Sequence, residues 1–248
     1  MIKIKKSILI FLCMILFCLI SISGYSIYKI IEEDDKQVRL LVKLDKIAEE
    51  SLDKVDNKIE LENEKVNEFF KTNNDIVGWI KIEGTNIDYP VMQSKNNPNY
   101  YLKRNFNKEY SNLGTPYLDG NCDLKTSDNL IIYGHHITRN RMFGELENYK
   151  SKEFYKKHSV IEFYDKESKK EYDIIYVFKT KADIGFKYNK YINFNDKSEF
   201  ETFRNECEKL AFYNIDKDIK YDNKFITLST CEYSQENGRL VVIAKLKD

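Results

Sequence analysis

The fold class this sequence predicts is mainly β: an eight-stranded barrel with an N-terminal helix, a long helix before its last two strands, and a transmembrane helix ahead of it all. Three observations carry that prediction. No charged residue lies between Lys6 and Lys29. From Asp75 onward, short β-branched and aromatic runs alternate with clusters of Gly, Asn and Asp, the pattern of an all-β domain. With 18 Tyr and 15 Phe against 9 Gly and 3 Pro, the chain can fill a core and lacks the bias of a disordered or collagen-like protein. Of its 248 residues, 42% are hydrophobic and 32% charged, and Lys+Arg and Asp+Glu number 40 each. That balance argues against a nucleic-acid partner, which normally calls for a basic excess.

Residues 1–6 form a short basic tail and residues 7–28 an apolar stretch. As a helix the stretch reaches roughly 33 Å, about the thickness of a bilayer's hydrocarbon core. A cleaved signal peptide is the rival reading, but the run is long for one and no Ala-x-Ala-like site follows it. Lys3, Lys5 and Lys6 precede the span and the acidic run Glu32–Asp35 follows it. By the positive-inside rule this is a single-pass protein of the cell membrane, with a cytoplasmic N-terminus and everything after the span outside. Setting those three lysines aside leaves 37 basic residues against 40 acidic, a net of −3, so no strong pull toward anionic surfaces is expected.

Residues 29–70 read as a helical stalk. Over residues 39–66, Leu41, Leu44, Ala48, Leu52, Val55 and Ile59 recur at spacings of three and four, which places one apolar stripe on a helix. The stripe is short, favouring packing on the next domain, or simple spacing from the membrane, over a dimerising coiled coil. Residues 71–248 carry neither repeat nor low-complexity linker and read as one domain. Its candidate strands are 77–82, 86–92, 115–118, 129–135, 160–164, 171–180, 224–231 and 239–246, enough to close a barrel. Helical interruptions fall at 98–106, 143–158 and 197–213. In the last of these, Phe200, Phe203, Cys207 and Leu210 recur at helical spacing, which makes Cys207 a core residue.

Cys13 and Cys18 lie in the span, where they serve as small apolar residues. Cys122, Cys207 and Cys231 remain outside, an odd number in a compartment that allows disulfides, so at least one thiol stays free unless it pairs between chains. The strands 224–231 and 239–246 flank the polar loop 232–238, the layout of an antiparallel hairpin. If the loop closes on its flanking residues, Cys231 faces Arg239 with Cβ atoms about 5 Å apart. The cation favours the nucleophilic thiolate. A structural Cys beside a surface Arg is an equally open reading from the hairpin alone. The apolar strand Asn129–Tyr133 runs on into Gly134, His135 and His136, and histidine is the usual partner of a nucleophilic Cys. Alternation puts His135 on the face of Ile131 and Tyr133, and His136 on the other. His158, in a charged run, reads as a solvated loop residue. No metal site is expected, because neighbours on a strand point apart and no Cys-x-x-Cys or His-x-x-x-His spacing exists.

At these residues the sequence resembles the sortase family. Thr227-Leu-Ser-Thr-Cys231 matches the sortase Thr-Leu-x-Thr-Cys signature, Tyr133-Gly-His-His136 matches the histidine motif, and Arg239 stands where the family's arginine stands. The N-terminal anchor and the strand content agree, so the resemblance covers residues 8–246. The Ser within the signature, the helix before the barrel and the long helix before the Cys strand look like class B.

The resemblance implies a membrane-anchored cysteine transpeptidase without cofactor or metal. It would cut a C-terminal sorting motif of secreted proteins after Thr, through a thioacyl-enzyme, and pass them to a cell-wall amine such as that of a peptidoglycan precursor. Carried onto this chain, Cys231 is the nucleophile and His135 the general acid and base. Arg239 positions the substrate and stabilises the oxyanion, together with the backbone N–H of Glu232. His136 falls on a position that varies and takes no catalytic role. Residues 182–223 correspond to the sorting-signal groove. Two other readings use the same residues: a secreted cysteine protease releasing its acyl group to water, and a membrane-tethered β-barrel binding module without catalysis. The papain-type Cys-Gly-x-Cys-Trp signature is absent, and a non-catalytic module leaves a free Cys opposite an Arg unexplained.

Overall fold

The computed structural model describes residues 6–52 and 70–247. The chain divides into two compact units, Met1–Leu40 and Leu41–Asp248. One helix, α1 (Lys6–Leu52), covers the apolar stretch and runs on beyond it. Its 47 residues include no Pro and a single Gly, so nothing in the sequence breaks it. From Ile8 it is long and apolar enough to cross a membrane. Within the second unit, Leu44 and Ala48 are buried and Leu41 packs on the core. These are the first positions of the apolar stripe. Val55 and Ile59, which continue it, lie outside the described residues.

Among the described residues ten strands follow: β1 (Ile76–Lys81), β2 (Asp88–Met92), β3 (Tyr117–Leu118), β4 (Asn129–Tyr133), β5 (His136–Ile137), β6 (Arg141–Met142), β7 (Val160–Tyr164), β8 (Lys169–Lys181), β9 (Phe225–Glu232) and β10 (Gly238–Leu246). Eight of them close a barrel in the order β1-β2-β3-β4-β9-β10-β8-β7. Closure leaves the barrel itself without an edge strand. These are the eight strands expected from the sequence, with ends moved by no more than two residues. The burial alternation that marks them is plainest in β7, where Ile161 and Phe163 are fully buried and Val160 and Glu162 are half-buried.

Two pairings are parallel, β2 with β3 and β4 with β9. A parallel pair needs a long crossover, and the one from β4 to β9 takes in α2 (Lys152–Lys157), β7, β8 and α3 (Lys197–Leu210). Helix α3 starts at Asp196, whose carboxylate accepts the Glu199 N–H at 2.8 Å, while Glu199 accepts the Asn195 N–H at 2.8 Å. Its buried face, Phe200, Phe203 and Cys207, seats against Phe194 and against Phe225 at the start of β9. Ring centroids there are 5.2 to 6.2 Å apart, and burying such a ring contributes about 1.5–3 kcal/mol.

Three expectations are modified. The helix expected over 143–158 is a 3-10 turn, Phe143–Lys150, followed by α2, because Ser151 between them is extended. The helix expected over 98–106 is only the turn Tyr100–Lys103. The ribbon of β5 and β6 was not expected: two-residue strands carry no readable period, and its turn depends on positive φ at Arg139 and Asn140.

Candidate active site

The hairpin of β9 and β10 pairs Cys231 with Arg239, the register expected from loop closure. On its other side β9 runs parallel to β4, pairing Tyr133 with Ser229, and β3 adds Tyr117 opposite Tyr133. Alternation then builds two rows across the sheet. Tyr117, Tyr133 and Ser229 form the lower one; Cys231, two residues and roughly 7 Å further along β9, forms the upper one with its partner Arg239 on β10 and with His135, just past the end of β4. All six line one cavity of about 540 Å³. The fold therefore brings the three candidate residues to a single wall, although 96 positions separate His135 from Cys231.

Gly134 holds this corner together. Its N–H donates to Ser229 O at 3.1 Å, carrying the β4–β9 ladder past the last strand residue. A Cβ there would meet the Phe143 ring at 2.6 Å, so the motif's glycine lets the chain pass beneath Phe143.

His135 is half-buried, and its Nε2–H donates to Leu102 O at 2.7 Å. A carbonyl only accepts, so this bond fixes the neutral tautomer and leaves Nδ1 with its lone pair. Burial lowers the His135 pKa below the usual histidine value. The Leu102 bond opposes that shift and the Lys103 charge adds to it.

Arg239 donates from Nη1 to its neighbour's carbonyl, Gly238 O, at 2.8 Å. Among the described residues no carboxylate lies within ion-pair distance of it, so the cation is left for a ligand. Cys231 is half-buried, whereas Cys122 and Cys207 are 2% and 0% exposed. Burial pushes the Cys122 thiol up to about 12 and that of Cys207 well above its ordinary value.

His136 does not line the cavity. Its Nδ1–H donates to Cys231 O at 3.0 Å, and its ring lies 5.1 Å from that of Tyr233. Next to Cys231, Glu232 is buried and accepts from Lys150 Nζ at 2.7 Å and Ser234 Oγ at 2.8 Å. Burial raises the Glu232 pKa, but the Lys150 and Ser234 bonds outweigh it and hold the carboxyl below the ordinary range. His158 differs from expectation. It is half-buried, with Nδ1–H on Glu83 O at 2.8 Å, and ties α2 to the β1–β2 turn.

Sequence reasoning missed the lower row and Asp119; Ala182, Phe186, Lys187, Tyr188 and Asn189, which also line the cavity, fall in the segment 182–223 expected to form the groove, where no single residue was named. Ser229 and Tyr133 follow by period two from Cys231 and His135. Asp119, which accepts the Tyr133 hydroxyl at 3.0 Å, carries no local signal, and Tyr188, 2.6 Å from Ser229 Oγ, was covered only by its segment.

With a half-buried thiol, a neutral imidazole and a guanidinium free of any carboxylate on one wall, the cavity has the parts of a covalent acyl-transfer site. Comparison with known proteins agrees. The sortase domain model matches residues 80–247. Sortase B of Staphylococcus aureus is 33% identical over 246 residues, covering 97% of each chain. The solved Staphylococcus aureus sortase B–substrate complex superposes with a TM-score of 0.79 at 32% identity, over 88% of this chain and 99% of that one. A crystal structure of sortase B complexed with triglycine gives 0.77 at 32%, over 87% and 99%.

Proposed function

Since this chain belongs to the sortase family of cysteine transpeptidases, as a class B member, we propose that Cys231, His135 and Arg239 perform the transfer and that a C-terminal sorting motif of secreted proteins is its substrate. The observation that carries this reading is the single cavity wall on which those three residues meet. On attack, Cys231 Sγ bonds to the carbonyl carbon of the motif's Thr as its proton passes to His135. The resulting imidazolium gives that proton to the departing amine as the C–N bond breaks, which leaves a thioester. An incoming amine then attacks the thioester, loses a proton to His135 and expels the Cys231 thiolate. Arg239 stabilises the charge on the carbonyl oxygen at both attacks. His135, held neutral by burial, is ready to accept the first proton.

The acceptor is a cell-wall amine, a chemistry for which the triglycine complex of a relative offers a small analogue. The N-terminal helix holds the enzyme at the membrane as a signal anchor over 7–28. It follows a cytoplasmic tail of residues 1–6 and precedes a stalk, 29–70, and an outward-facing catalytic domain, 71–248. The test is mass spectrometry of enzyme mixed with a small set of sorting peptides. A thioacyl adduct on Cys231, resolved by added amine to a transpeptidation product, is expected; Cys231→Ala should fold and give neither. Unchanged transfer by that variant would refute the assignment, and product formed only by hydrolysis at saturating amine would indicate a protease.

A further inference from the structure

His136 holds a place in the strand ladder that backbone would normally fill. Along the parallel β4–β9 pair, Gly134 N–H donates to Ser229 O. The next rung would send the His136 N–H to Cys231 O. The main chain has by then turned away: His136 and Ile137 pair with Met142 and Arg141, and His135 O accepts from Phe143 N at 2.9 Å. The His136 side chain supplies the missing donor, with Nδ1–H on Cys231 O at 3.0 Å. Tyr233, two residues beyond Cys231, packs its ring beside this imidazole. One dipeptide therefore carries both the proposed acid–base group, His135, and a side-chain bond to the proposed nucleophile's own backbone.

We propose that His136 is a positioning residue for the transpeptidation: its Nδ1–H···O=C bond to Cys231 fixes the end of β9, and so the placement of the thiol against His135 and the substrate carbonyl. The inference rests on Cys231 being the nucleophile. It assigns no chemistry to His136, which neither reaches the cavity nor touches the reacting atoms. A loosened strand end would shift the thiol from its attack geometry, and misplacement of about 1 Å costs on the order of 100-fold in rate.

The test uses the full-length enzyme and two variants, His136→Phe and His136→Asn. Phenylalanine keeps a ring beside Tyr233 and removes the donor. Asparagine loses the ring but places an amide N–H at the δ position, where Nδ1 stood. In acyl-enzyme formation from a sorting peptide, His136→Phe should lower kcat by roughly 10- to 100-fold with KM within about 2-fold, and His136→Asn should recover most of that loss. Melting temperatures establish that each variant is folded. In nitrogen-detected NMR at pH 8, His136 should carry its proton on Nδ1 and His135 on Nε2, opposite tautomers in neighbouring residues. If the wild type forms no adduct on Cys231, the functional reading fails and this inference falls with it. If the wild type acylates normally and His136→Phe matches its kcat, or folded His136→Asn is as slow as His136→Phe, the positioning role alone is overturned.

Discussion

Cys122, Cys207 and Cys231 share one side chain and differ in surroundings. Cys122 is inside the core, with Sγ 3.5 Å from Asn129 O, and Cys207 faces inward from α3. With its pKa near 12, Cys122 is thiolate in only about one molecule in ten thousand at pH 8. Cys231 sits in an open cavity next to a cation. A small alkylating reagent should therefore modify Cys231 much faster than either buried thiol, by at least about tenfold, while in denaturant all three should react alike. Peptide mapping reads the result directly, and native-state labelling of Cys122 or Cys207 at a rate comparable to Cys231 would contradict it. At this scale the sequence was informative where chemistry coincided with strand period: loop closure placed Arg239 opposite Cys231, and alternation separated His135 from His136. It was silent on Leu102, because the acceptor of the His135 bond is a backbone carbonyl and every residue has one.

Helix α3 illustrates how an element can be legible while its placement is not. Its spacing of Phe200, Phe203 and Cys207 declared a buried face, and the helix begins at residue 197 as expected but ends at Leu210 rather than at 213. That the face would close over Phe225, at the foot of the strand leading to Cys231, could not be read, since nothing in a helical period names its partner. The same limit applies to the sheet. Eight strands were countable, but their order around the barrel, above all the parallel pairing of β4 with β9 across a crossover of some ninety residues, follows only from closing the whole core. Removing the cap with Asp196→Ala should lower stability by about 1 kcal/mol, seen as a fall in melting temperature of about 2–4 °C, with transfer activity at 25 °C intact. Phe203→Ala, which opens a cavity among its neighbouring rings, should cost about 3–5 kcal/mol. Equal melting shifts in the two variants would mean that the aromatic seat contributes no more than the cap.

For the whole molecule, the even total of charge matters less than where it lies. Three lysines precede α1's apolar stretch, none of its residues from Ser7 to Tyr28 is charged, and the acidic run Glu32–Asp35 follows soon after Lys29. Basic residues are retained on the cytoplasmic side of a first span, so the barrel and its thiol are expected outside. In the proposed function that orientation would put the exported substrates and the cell-wall amine in one compartment with the thiol, and it would make Cys231 a reporter of topology. In intact cells expressing the full chain, a membrane-impermeant thiol reagent should label Cys231, and the labelled protein should stay in the membrane pellet after an alkaline wash with its N-terminal residues present by mass. Labelling only after permeabilisation would place the barrel in the cytoplasm. Release into the medium with residues 1–28 missing would mean that the apolar stretch is a cleaved signal. Moving the lysines from before the span to the position of Glu32–Asp35 should reverse the outcome, protecting Cys231 from the reagent in intact cells, because the charge asymmetry, not the barrel, sets the direction of insertion.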